Sequence, residues 1–415
     1  MGRVSVPLAQ CSFSRGCFKA VFVLVGCLDF HVSILRAQGT ISVTNWTGLQ
    51  TNWSQTTALR ESWYAIASSA DGARLVAAVS GGGIFLSTNS GSNWAVLSAP
   101  VADWNSIASS ADGTKLAAVV FGTSSSGIYS SANSGGTWTK TGAPSQEWVA
   151  IASSTNGTRL AATSDSGIYT SANSGQNWTT NSQPLGYWES IASSADGTKL
   201  VAALLSPPGI YTSTNSGSNW TQTIAPAASW LPVASSADGT HLAAGIYGSG
   251  TYTGIYISTN SGLSWTHSGA PSGFWNCIAC SADGTKLVAG ILTGGLYVST
   301  NSGFNWYSAN APNTNWNSTA CSADGTKFAA VVDQGGIWTA QAPIQTVAIP
   351  NLLISHPANV VTVQWQAISG WNLVQNTNPS PPGNWSFSAG VTNSNGTNYL
   401  TISPATALFF RLRYQ

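Results

Sequence analysis

Six carboxylates occupy positions where a ligand-binding or catalytic site could form. Four lie within two residues of a recurring tryptophan, and two lie in loops; they are Glu61, Asp103, Glu147, Glu189, Asp165 and Asp333. Hydrolysis of a glycosidic bond needs two carboxyl groups, one on each side of that bond. Because the six acids are spread along the chain, the sequence pairs none of them. Solvated loop acids are the alternative interpretation.

Tryptophans recur in seven pairs, and the two members of each pair are ten residues apart. The second members are Trp63, Trp104, Trp148, Trp188, Trp230, Trp275 and Trp316. A ring of exposed indoles could stack on sugars, and Trp63, Trp104, Trp148 and Trp188 are candidates for that role. Strict periodicity favours packing instead, because a ligand site usually interrupts a repeat. The most irregular and aromatic segment is GIYGSGTYTG, so Tyr247 and Tyr252 are further candidate ligand contacts.

Metal, redox and nucleic-acid chemistry find little support in the composition. Cys277 and Cys280 form a C-x-x-C motif, but they align with Ala and Ser of the other repeats, which predicts inert thiols. The four histidines are scattered, so we expect neither a metal nor a cofactor. Charged residues make up only 7% of the chain and the net charge is +1, which argues against nucleic-acid binding.

Two short phrases repeat through the body of the chain. STNSGSNW occurs in six versions and SADGTKL in seven, the latter spaced 40 to 45 residues apart. In one repeat, WNSIASS, TKLAAVV, GIYSS and WTKTG have the residue types of four successive strands. Asp112-Gly113 predicts a two-residue hairpin between the first two of these strands. Four antiparallel strands per repeat of this length are typical of a propeller blade.

The repeats predict an all-β, seven-bladed β-propeller over residues 45–342. The seventh repeat lacks its outer strand, and the missing strand is supplied by the residues around Trp53. Pairing of this N-terminal strand with the last blade would close the ring and remove exposed sheet edges. The loops between second and third strands and the links between blades would share one face, opposite the Asp-Gly hairpins.

The pattern S-x-N-x-G-x-x-W resembles the Asp-box, S-x-D-x-G-x-x-W, of BNR or sialidase-type propeller repeats. In all six copies Asn replaces the Asp: Asn89, Asn133, Asn173, Asn215, Asn260 and Asn301. Asn still supplies a side-chain acceptor for the turn, Gly permits positive φ, and Trp anchors the turn by burial. The resemblance implies a structural role for these turns, away from the active face. It extends to WD40- and YVTN-like propellers, photosystem II assembly factors and xyloglucanases.

Resemblance to sialidases would imply an arginine triad, a Tyr/Glu nucleophile pair and an acidic Asp. The propeller contains only Arg60, Arg74 and Arg159, and the last two lie beside hairpins, so a triad cannot assemble. Two hypotheses therefore remain. The first is a secreted, non-catalytic, monomeric propeller that binds protein or carbohydrate through its loop face. The second is a glycoside hydrolase that uses a pair of the six loop-face acids.

The two ends of the chain differ from the repeats. Basic residues precede the apolar run AVFVLVGCL, which predicts a bacterial targeting signal over residues 1–38, with cleavage near Ala37. A lipobox ending at Cys27 is the alternative and would give a lipid anchor. Both place the protein outside the cell or at its surface, and no later stretch is apolar enough to span a membrane. Residues 344–415 lack the repeats and predict a small C-terminal β-sandwich-like module.

Overall fold

The computed structural model describes residues 53–122, 126–180, 183–248 and 251–342, together with strands and turns between 23 and 44 and between 344 and 414. Its contacts divide the chain into two compact units, Thr44–Pro343 on the one hand and Met1–Val43 with Ile344–Gln415 on the other. Within the described residues every regular element is a strand, and none is a helix long and apolar enough to cross a bilayer.

The strands follow one another in a repeating order. Three come first, namely β1 (Val23–Val25), β2 (Ser33–Leu35) and β3 (Thr40–Thr44), and the short β4 (Ser54–Gln55) follows. Blade 1 is β5 (Trp63–Ser68), β6 (Leu75–Gly82), β7 (Ile84–Ser87) and β8 (Ala95–Val96). Blade 2 is β9 (Ala102–Ser109), β10 (Leu116–Val120), β11 (Gly127–Ser131) and β12 (Thr139–Lys140). Blade 3 is β13 (Trp148–Ser153), β14 (Leu160–Ser164), β15 (Ile168–Ser171) and β16 (Thr179–Thr180). Blade 4 is β17 (Tyr187–Ser193), β18 (Leu200–Ser206), β19 (Gly209–Ser213) and β20 (Thr221–Gln222).

The remaining blades keep this order. Blade 5 is β21 (Trp230–Ser235), β22 (Leu242–Ile246), β23 (Ile255–Ser258) and β24 (Thr266–His267). Blade 6 is β25 (Trp275–Cys280), β26 (Leu287–Ile291), β27 (Leu296–Ser299) and β28 (Tyr307–Ser308). Blade 7 is β29 (Trp316–Cys321), β30 (Lys327–Val332), β31 (Ile337–Gln341) and the early strand β4. The last strands are β32 (Ile344–Ala348), β33 (Leu352–Ser355), β34 (Val361–Gln366), β35 (Trp371–Asn376), β36 (Ser386–Phe387), β37 (Thr392–Ser394), β38 (Thr397–Ile402) and β39 (Leu408–Tyr414).

The N-terminal strand closes the last blade, as the repeats predicted. β4 pairs antiparallel with β31, with Gln55 opposite Trp338 and Ser54 opposite Thr339. Every other blade pairs its four strands in chain order, and β6 of blade 1 also pairs with β9 of blade 2. Each blade therefore has a complete set of four antiparallel strands.

A ring of backbone hydrogen bonds joins the seven hairpins between first and second strands. Ala70 N donates to Ala111 O at 2.7 Å, and each following hairpin repeats the bond to the next blade. The ring closes when Ala323 N of blade 7 donates to Ala70 O at 2.8 Å. The donors in order are Ala70, Ala111, Thr155, Ala195, Ala237, Ala282 and Ala323. Seven links that return to their start are the direct evidence for a closed, seven-membered ring.

The seven tryptophans that begin the inner strands fill the wedges between blades. All seven are 0% exposed. Trp104, for example, packs in one apolar cluster with Ala78 and Ile84 of the preceding blade, and its ring meets Tyr129 edge-on at 5.3 Å. The stacking interpretation of Trp63, Trp104, Trp148 and Trp188 does not fit this burial, because no indole face is left for a sugar. Packing explains these residues.

The hairpins differ from the predicted two-residue turn. In blade 2 the connection runs over residues 110–115, and Gly113 has φ +70° whereas Asp112 does not have positive φ. Asp112 acts as an acceptor instead: Ser110 Oγ donates to its Oδ1 at 2.6 Å and Thr114 N donates at 3.0 Å. The carboxylate therefore organises a longer loop, and only the glycine needs the left-handed conformation.

The Ser-x-Asn-x-Gly turns form as their residue types predicted. In blade 4, Ser213 Oγ donates to Asn215 Oδ1 at 3.0 Å, and Asn219 N donates to the same oxygen at 2.9 Å. Gly217 has φ +86°, and the serine before it, Ser216, also adopts positive φ. The asparagine side chain is therefore the acceptor that holds the turn together.

The second unit contains antiparallel sheets built from both ends of the chain. One has the order β1, β39, β35, β36, and another has the order β2, β33, β34, β38, β37. β3 pairs with β32. β1 and β2 lie inside the predicted targeting segment, and their partners lie in the predicted C-terminal module. Removal of residues 1–38 from the mature protein stays a prediction.

Candidate functional site

The centre of the loop face is lined by the neighbours of the buried tryptophans. We use the name loop face for the face formed by the links between blades and the loops between second and third strands. The register of every inner strand shifts directly after its tryptophan, so the next residue has no direct partner on the second strand. The preceding residues are Ser62, Asp103, Glu147, Tyr187, Ser229, Phe274 and Asn315. The following residues are Tyr64, Asn105, Val149, Glu189, Leu231, Asn276 and Asn317. Both positions occur in every blade, but the residue type at each position differs from blade to blade.

Backbone hydrogen bonds hold the loops against the links. Asp165 N donates to Glu147 O at 3.2 Å, and Tyr247 N donates to Ser229 O at 2.8 Å. Asp333 N makes the corresponding bond to the link before blade 7, at 3.1 Å. The two sets of segments therefore lie on one face, and the acids that they carry are brought to the same side of the propeller.

Carboxylates from two other blades raise the pKa of Tyr64. Burial is the main cause that raises the pKa of this tyrosine, and the charges of Glu189 and Asp333 raise it further. Tyr64 lies on blade 1, Glu189 on blade 4 and Asp333 on blade 7. Charge interactions weaken with distance, and Glu189 and Asp333 are the two acids whose charges reach Tyr64.

Burial and nearby acids also raise the pKa of Tyr187. Burial raises its pKa first, and Glu189, Glu147, Tyr64 and Asp165 add to the shift. We define the tyrosine–carboxylate cluster by its six members, which come from blades 1, 3, 4 and 7: Tyr64, Tyr187, Glu147, Asp165, Glu189 and Asp333. Four of the six were candidates from the sequence. The two tyrosines were missed, although they stand directly beside repeated tryptophans, at positions where the other blades have no tyrosine.

Glu189 is the most enclosed acid of this cluster. Burial raises its pKa and is the only cause of the shift, so no neighbouring carboxylate contributes. Among the described residues, none donates a hydrogen bond or forms an ion pair with its carboxylate. This acid therefore has oxygens available for a donor from outside the chain.

These shifts bear on the chemistry that the cluster can support. A tyrosine nucleophile would need a lowered pKa, whereas the pKa values of both tyrosines are raised. The cluster is suited to hydrogen bonding and charge recognition.

Exposed aromatic rings lie next to the cluster. Tyr247 and Phe274 meet edge-on at 5.4 Å and are joined by an isolated β-bridge. They are 37% and 43% exposed, Tyr64 is 41% exposed, and Tyr247 is among the groups that act on Tyr64. We define the aromatic patch as Tyr64, Tyr247 and Phe274. Tyr252, the other candidate from this loop, is 44% exposed and is not among the groups that act on Tyr64.

Glu61 and Asp103 lie on the same face at other places. Glu61 N donates to Gly335 O at 3.1 Å, and Asp103 pairs with Ser80 across the junction of blades 1 and 2. Neither is among the groups that shift the two tyrosines. They add negative charge to the loop face without belonging to the tyrosine–carboxylate cluster.

The predicted inert cysteines are buried thiols. Burial raises the pKa of Cys277 and of Cys280 to about 12, so both stay protonated at neutral pH. Cys280 Sγ donates to Ser235 O at 3.1 Å. Over the described part of the chain, no group of three or more His, Cys, Asp or Glu is arranged to hold a metal ion.

Charge is distributed unequally between the two faces. Six of the eight basic residues between 44 and 343 lie at the hairpins: Arg74, Lys115, Arg159, Lys199, Lys286 and Lys327. Six aspartates also lie at the hairpins, namely Asp71, Asp112, Asp196, Asp238, Asp283 and Asp324; the blade 3 hairpin has Asn156 instead, and Asp238 is followed by His241. The six loop-face acids have only Arg60 and Lys140 left as basic residues of the propeller, so the loop face is acidic.

Comparison with known proteins gives a consistent fold. No family model matches the sequence, and no curated protein matches it. YCF48 from Cyanidioschyzon merolae superposes with a TM-score of 0.54 at 13% identity, over 70% of this chain and 98% of that one. YCF48 bound to D1 peptide superposes with a TM-score of 0.55 at 14% sequence identity, over 73% of this chain and 100% of that one. A GH74 xyloglucanase from Xanthomonas campestris superposes with a TM-score of 0.55 at 14% sequence identity, over 77% of this chain and 60% of that one. The chain therefore has the β-propeller fold that its repeats predicted.

Proposed function

We propose that the propeller is a non-catalytic binding module that holds a segment of a partner protein at the centre of its loop face. The observation that carries this proposal is the convergence of Tyr64 and Tyr187 with acids from blades 3, 4 and 7. Both phenols stay protonated and can donate hydrogen bonds, while Glu189 lacks an internal donor. A peptide offers the complementary backbone carbonyls and N–H groups.

A protein partner fits this face better than a glycan. The inner tryptophans are fully buried and offer no face for a sugar to stack on. A solved structure of similar fold is described as bound to a peptide, which adds support by analogy. The raised pKa values of Tyr64 and Tyr187 disfavour hydrolysis through a tyrosine nucleophile, and turnover of a glycoside is one outcome of the test.

The test is selection from a display library of random 12-residue peptides on the purified chain. We expect recovered peptides to bind the wild type and to bind the Tyr64→Ala/Tyr187→Ala variant at least about tenfold more weakly, by fluorescence anisotropy. Leu263→Ala, a change at a 77% exposed residue of a Ser-x-Asn-x-Gly turn, is the control and should keep full affinity. Melting temperatures of all three proteins check that each is folded.

Two results would overturn the proposal. One is equal peptide binding by the wild type and the double-tyrosine variant. The other is turnover of a panel of chromogenic glycosides that is lost in Glu189→Gln or Asp165→Asn, which would establish the hydrolase. Glycan-array binding that depends on Tyr64 and Tyr187 would replace a protein partner with a carbohydrate.

We also propose that the protein is exported and acts as a monomer outside the cell or at its surface. The basic and apolar start of the chain supports this location. Mass spectrometry of the protein recovered from a bacterial host should find a mature start after residue 37, or a lipidated Cys27. A full-length chain that remains in the cytoplasm would contradict the proposal.

A further inference from the structure

We propose that a groove between blades 3 and 4 binds a small molecule that carries a phosphate or sulfate group. The groove encloses a cavity of about 310 Å³, a volume within the range of about 300–1,000 Å³ that is usual for ligand pockets. Its walls are the outer strands and Ser-x-Asn-x-Gly turn of blade 3 on one side and the hairpin and turn of blade 4 on the other. This site is separate from the loop face, because the hairpins and these turns lie at the opposite end of the blades.

The equivalent groove between blades 5 and 6 is almost closed. Its cavity has a volume of about 10 Å³, and its lining residues occupy positions that also line the larger cavity. Blade 5 has Ile257 where blade 3 has Thr170. Ile257 packs against the turn of the next blade, since a Cβ added to Gly303 would lie 2.7 Å from Ile257 Cγ2. The repeat can therefore fill this groove with an aliphatic side chain, and blade 3 carries a shorter polar one instead.

Arg159 supplies a positive charge to the larger cavity. Its side chain is exposed at the cavity wall. Its six counterparts in the other hairpins are half-buried, namely Arg74, Lys115, Lys199, His241, Lys286 and Lys327. Arg159 Nη1 donates to Ser216 Oγ, and the stem of the side chain covers Gly197, where an added Cβ would lie 2.8 Å from Arg159 Cδ. The guanidinium is therefore held in place, and its other N–H groups donate to none of the described residues.

Neighbouring acids do not neutralise this charge. The blade 3 hairpin has Asn156 where the other six hairpins have aspartate. Asp196 of the next hairpin accepts hydrogen bonds from Ser194 Oγ at 2.6 Å and Thr198 N at 2.9 Å, and it forms no ion pair with Arg159. None of the described residues that line the cavity is acidic. A cation without an internal counter-charge favours an anionic ligand.

Neutral donors complete the cavity wall. Ser218 Oγ and the side-chain nitrogens of Asn173 and Asn177 donate to none of the described residues, although all three side chains line the cavity. In blades 2 and 5 the corresponding nitrogens of Asn133 and Asn260 each donate to a hydroxyl four residues later. Charge-assisted hydrogen bonds are stronger than neutral ones, and a tetrahedral oxyanion can accept from donors on both walls. The cavity exceeds the volume of one water, about 30 Å³, roughly tenfold, so it also has room for the molecule that carries the group.

The experiment is isothermal titration calorimetry on the full chain in a low-salt buffer that contains neither phosphate nor sulfate. The probes are glucose 6-phosphate, glucose 6-sulfate and glucose. We expect at least one ester to bind at least about tenfold more tightly than glucose, because only the esters offer a charged acceptor to Arg159. Similar affinity for both esters supports recognition of their shared geometry, and preference for one identifies the natural group. Equal binding of glucose, or no measurable binding of either ester, would overturn the inference.

Three variants locate the effect. Arg159→Gln should weaken ester binding at least about tenfold by removing the charge, and Thr170→Ile should do so by filling the groove. Arg74→Gln is the control, because Arg74 makes the same contact with the next turn, to Ser134 Oγ at 2.7 Å, and its loss changes the net charge equally. This control should keep the wild-type affinity within about twofold, since distant exposed charges are screened.

The variants also state how the inference fails. Equal loss in Arg159→Gln and Arg74→Gln would mean that net charge alone is responsible. Unchanged affinity in Thr170→Ile would place the ligand outside the groove. Tyr64→Ala/Tyr187→Ala should bind the esters as the wild type does, and a loss there would assign them to the loop face. Melting temperatures check that every variant is folded.

Discussion

The hairpin face and the loop face of the propeller are built from the same seven repeats, yet they use them in opposite ways. At the hairpins residue types repeat, and in five of the seven blades an aspartate is followed three residues later by Lys or Arg. Arg74 of blade 1 covers Gly113 of the next hairpin, where an added Cβ would lie 2.6 Å from Arg74 Cδ. Its Nη1 also donates to Ser134 Oγ at 2.7 Å. Regular residues there perform the same structural task in every blade.

On the loop face, the corresponding positions carry residues of every class. The site before the tryptophan holds Tyr187 in blade 4 and Phe274 in blade 6, and the site after it holds Tyr64 in blade 1 and Glu189 in blade 4. Packing cannot require such variety at equivalent backbone positions. In a repeat protein, repetition therefore marks what the fold needs, and departure from repetition marks where a partner is expected.

The strongest test of this division is removal of an inner tryptophan. Trp104→Ala should lower the free energy of unfolding by about 3–5 kcal/mol, because it empties a fully buried site between blades 1 and 2. Denaturant unfolding measures the loss. Val101→Ala, three residues earlier and 77% exposed, is the control and should change stability by less than about 0.5 kcal/mol. Unchanged stability with lost ligand binding would restore the stacking interpretation.

A smaller effect is expected at the Ser-x-Asn-x-Gly turns. Asn215→Ala removes the acceptor for Ser213 Oγ and Asn219 N and should cost about 1 kcal/mol, measured by the shift in denaturation midpoint. Asn215→Asp keeps the acceptor oxygen and restores the Asp of the motif that it resembles, so it should cost much less. Equal losses in both variants would show that the acceptor geometry is not what holds the turn.

The sequence predicted most of the fold because the fold is periodic. Seven tryptophan pairs, each with members ten residues apart, gave the number of blades, and the strand around Trp53 gave the closure. The prediction of a two-residue hairpin was wrong because it was based on Asp112 and Gly113 alone. Ser110 and Thr114 bind the carboxylate and lengthen the loop.

The candidate site could be predicted only in part. Its acids were visible as rare residues in a weakly charged chain, but their convergence depends on which side chains reach across the centre of the ring. Tyr64 and Glu189 lie on different blades, and nothing in the spacing of either shows that they meet. If the seven repeats are aligned, the positions directly before and after the repeated tryptophan vary in residue type. Such an alignment would have identified Tyr187 and Tyr64 as the tyrosines at these variable positions.

Low pH should destabilise the hairpins between the first and second strands of the blades. Serine and backbone hydrogen bonds lower the pKa values of Asp112, Asp196 and Asp238 from 3.8 to about 2. Because their folded pKa values are depressed, the carboxylates stabilise the fold above pH 4, and this contribution is lost as the pH falls through about 2. The triple Asp→Asn variant should melt a few degrees below the wild type at pH 7, and the difference should vanish near pH 2.

Blade 3 shows that this substitution is structurally tolerated. Asn156 occupies the equivalent position and accepts hydrogen bonds from Ser154 Oγ at 2.9 Å and Thr158 N at 3.0 Å. The variant therefore removes charge and keeps the loop. A melting difference between variant and wild type that stays constant from pH 7 to pH 2 would contradict the assigned role of the carboxylates.

The smallest expected effect has the opposite sign and lies on the loop face. Burial raises the folded pKa of Glu189 above its ordinary value of 4.5, so the ionised carboxylate destabilises the fold at neutral pH. Glu189→Gln should therefore melt slightly above the wild type at pH 7, and the difference should disappear below about pH 4, where both states of the wild type are protonated. A chain that keeps a buried acid at a cost in stability retains it for something other than folding. If Glu189→Gln instead lowers the melting temperature at pH 7, Glu189 stabilises the fold. The loop face would then resemble the hairpin face, where the carboxylates have a structural role.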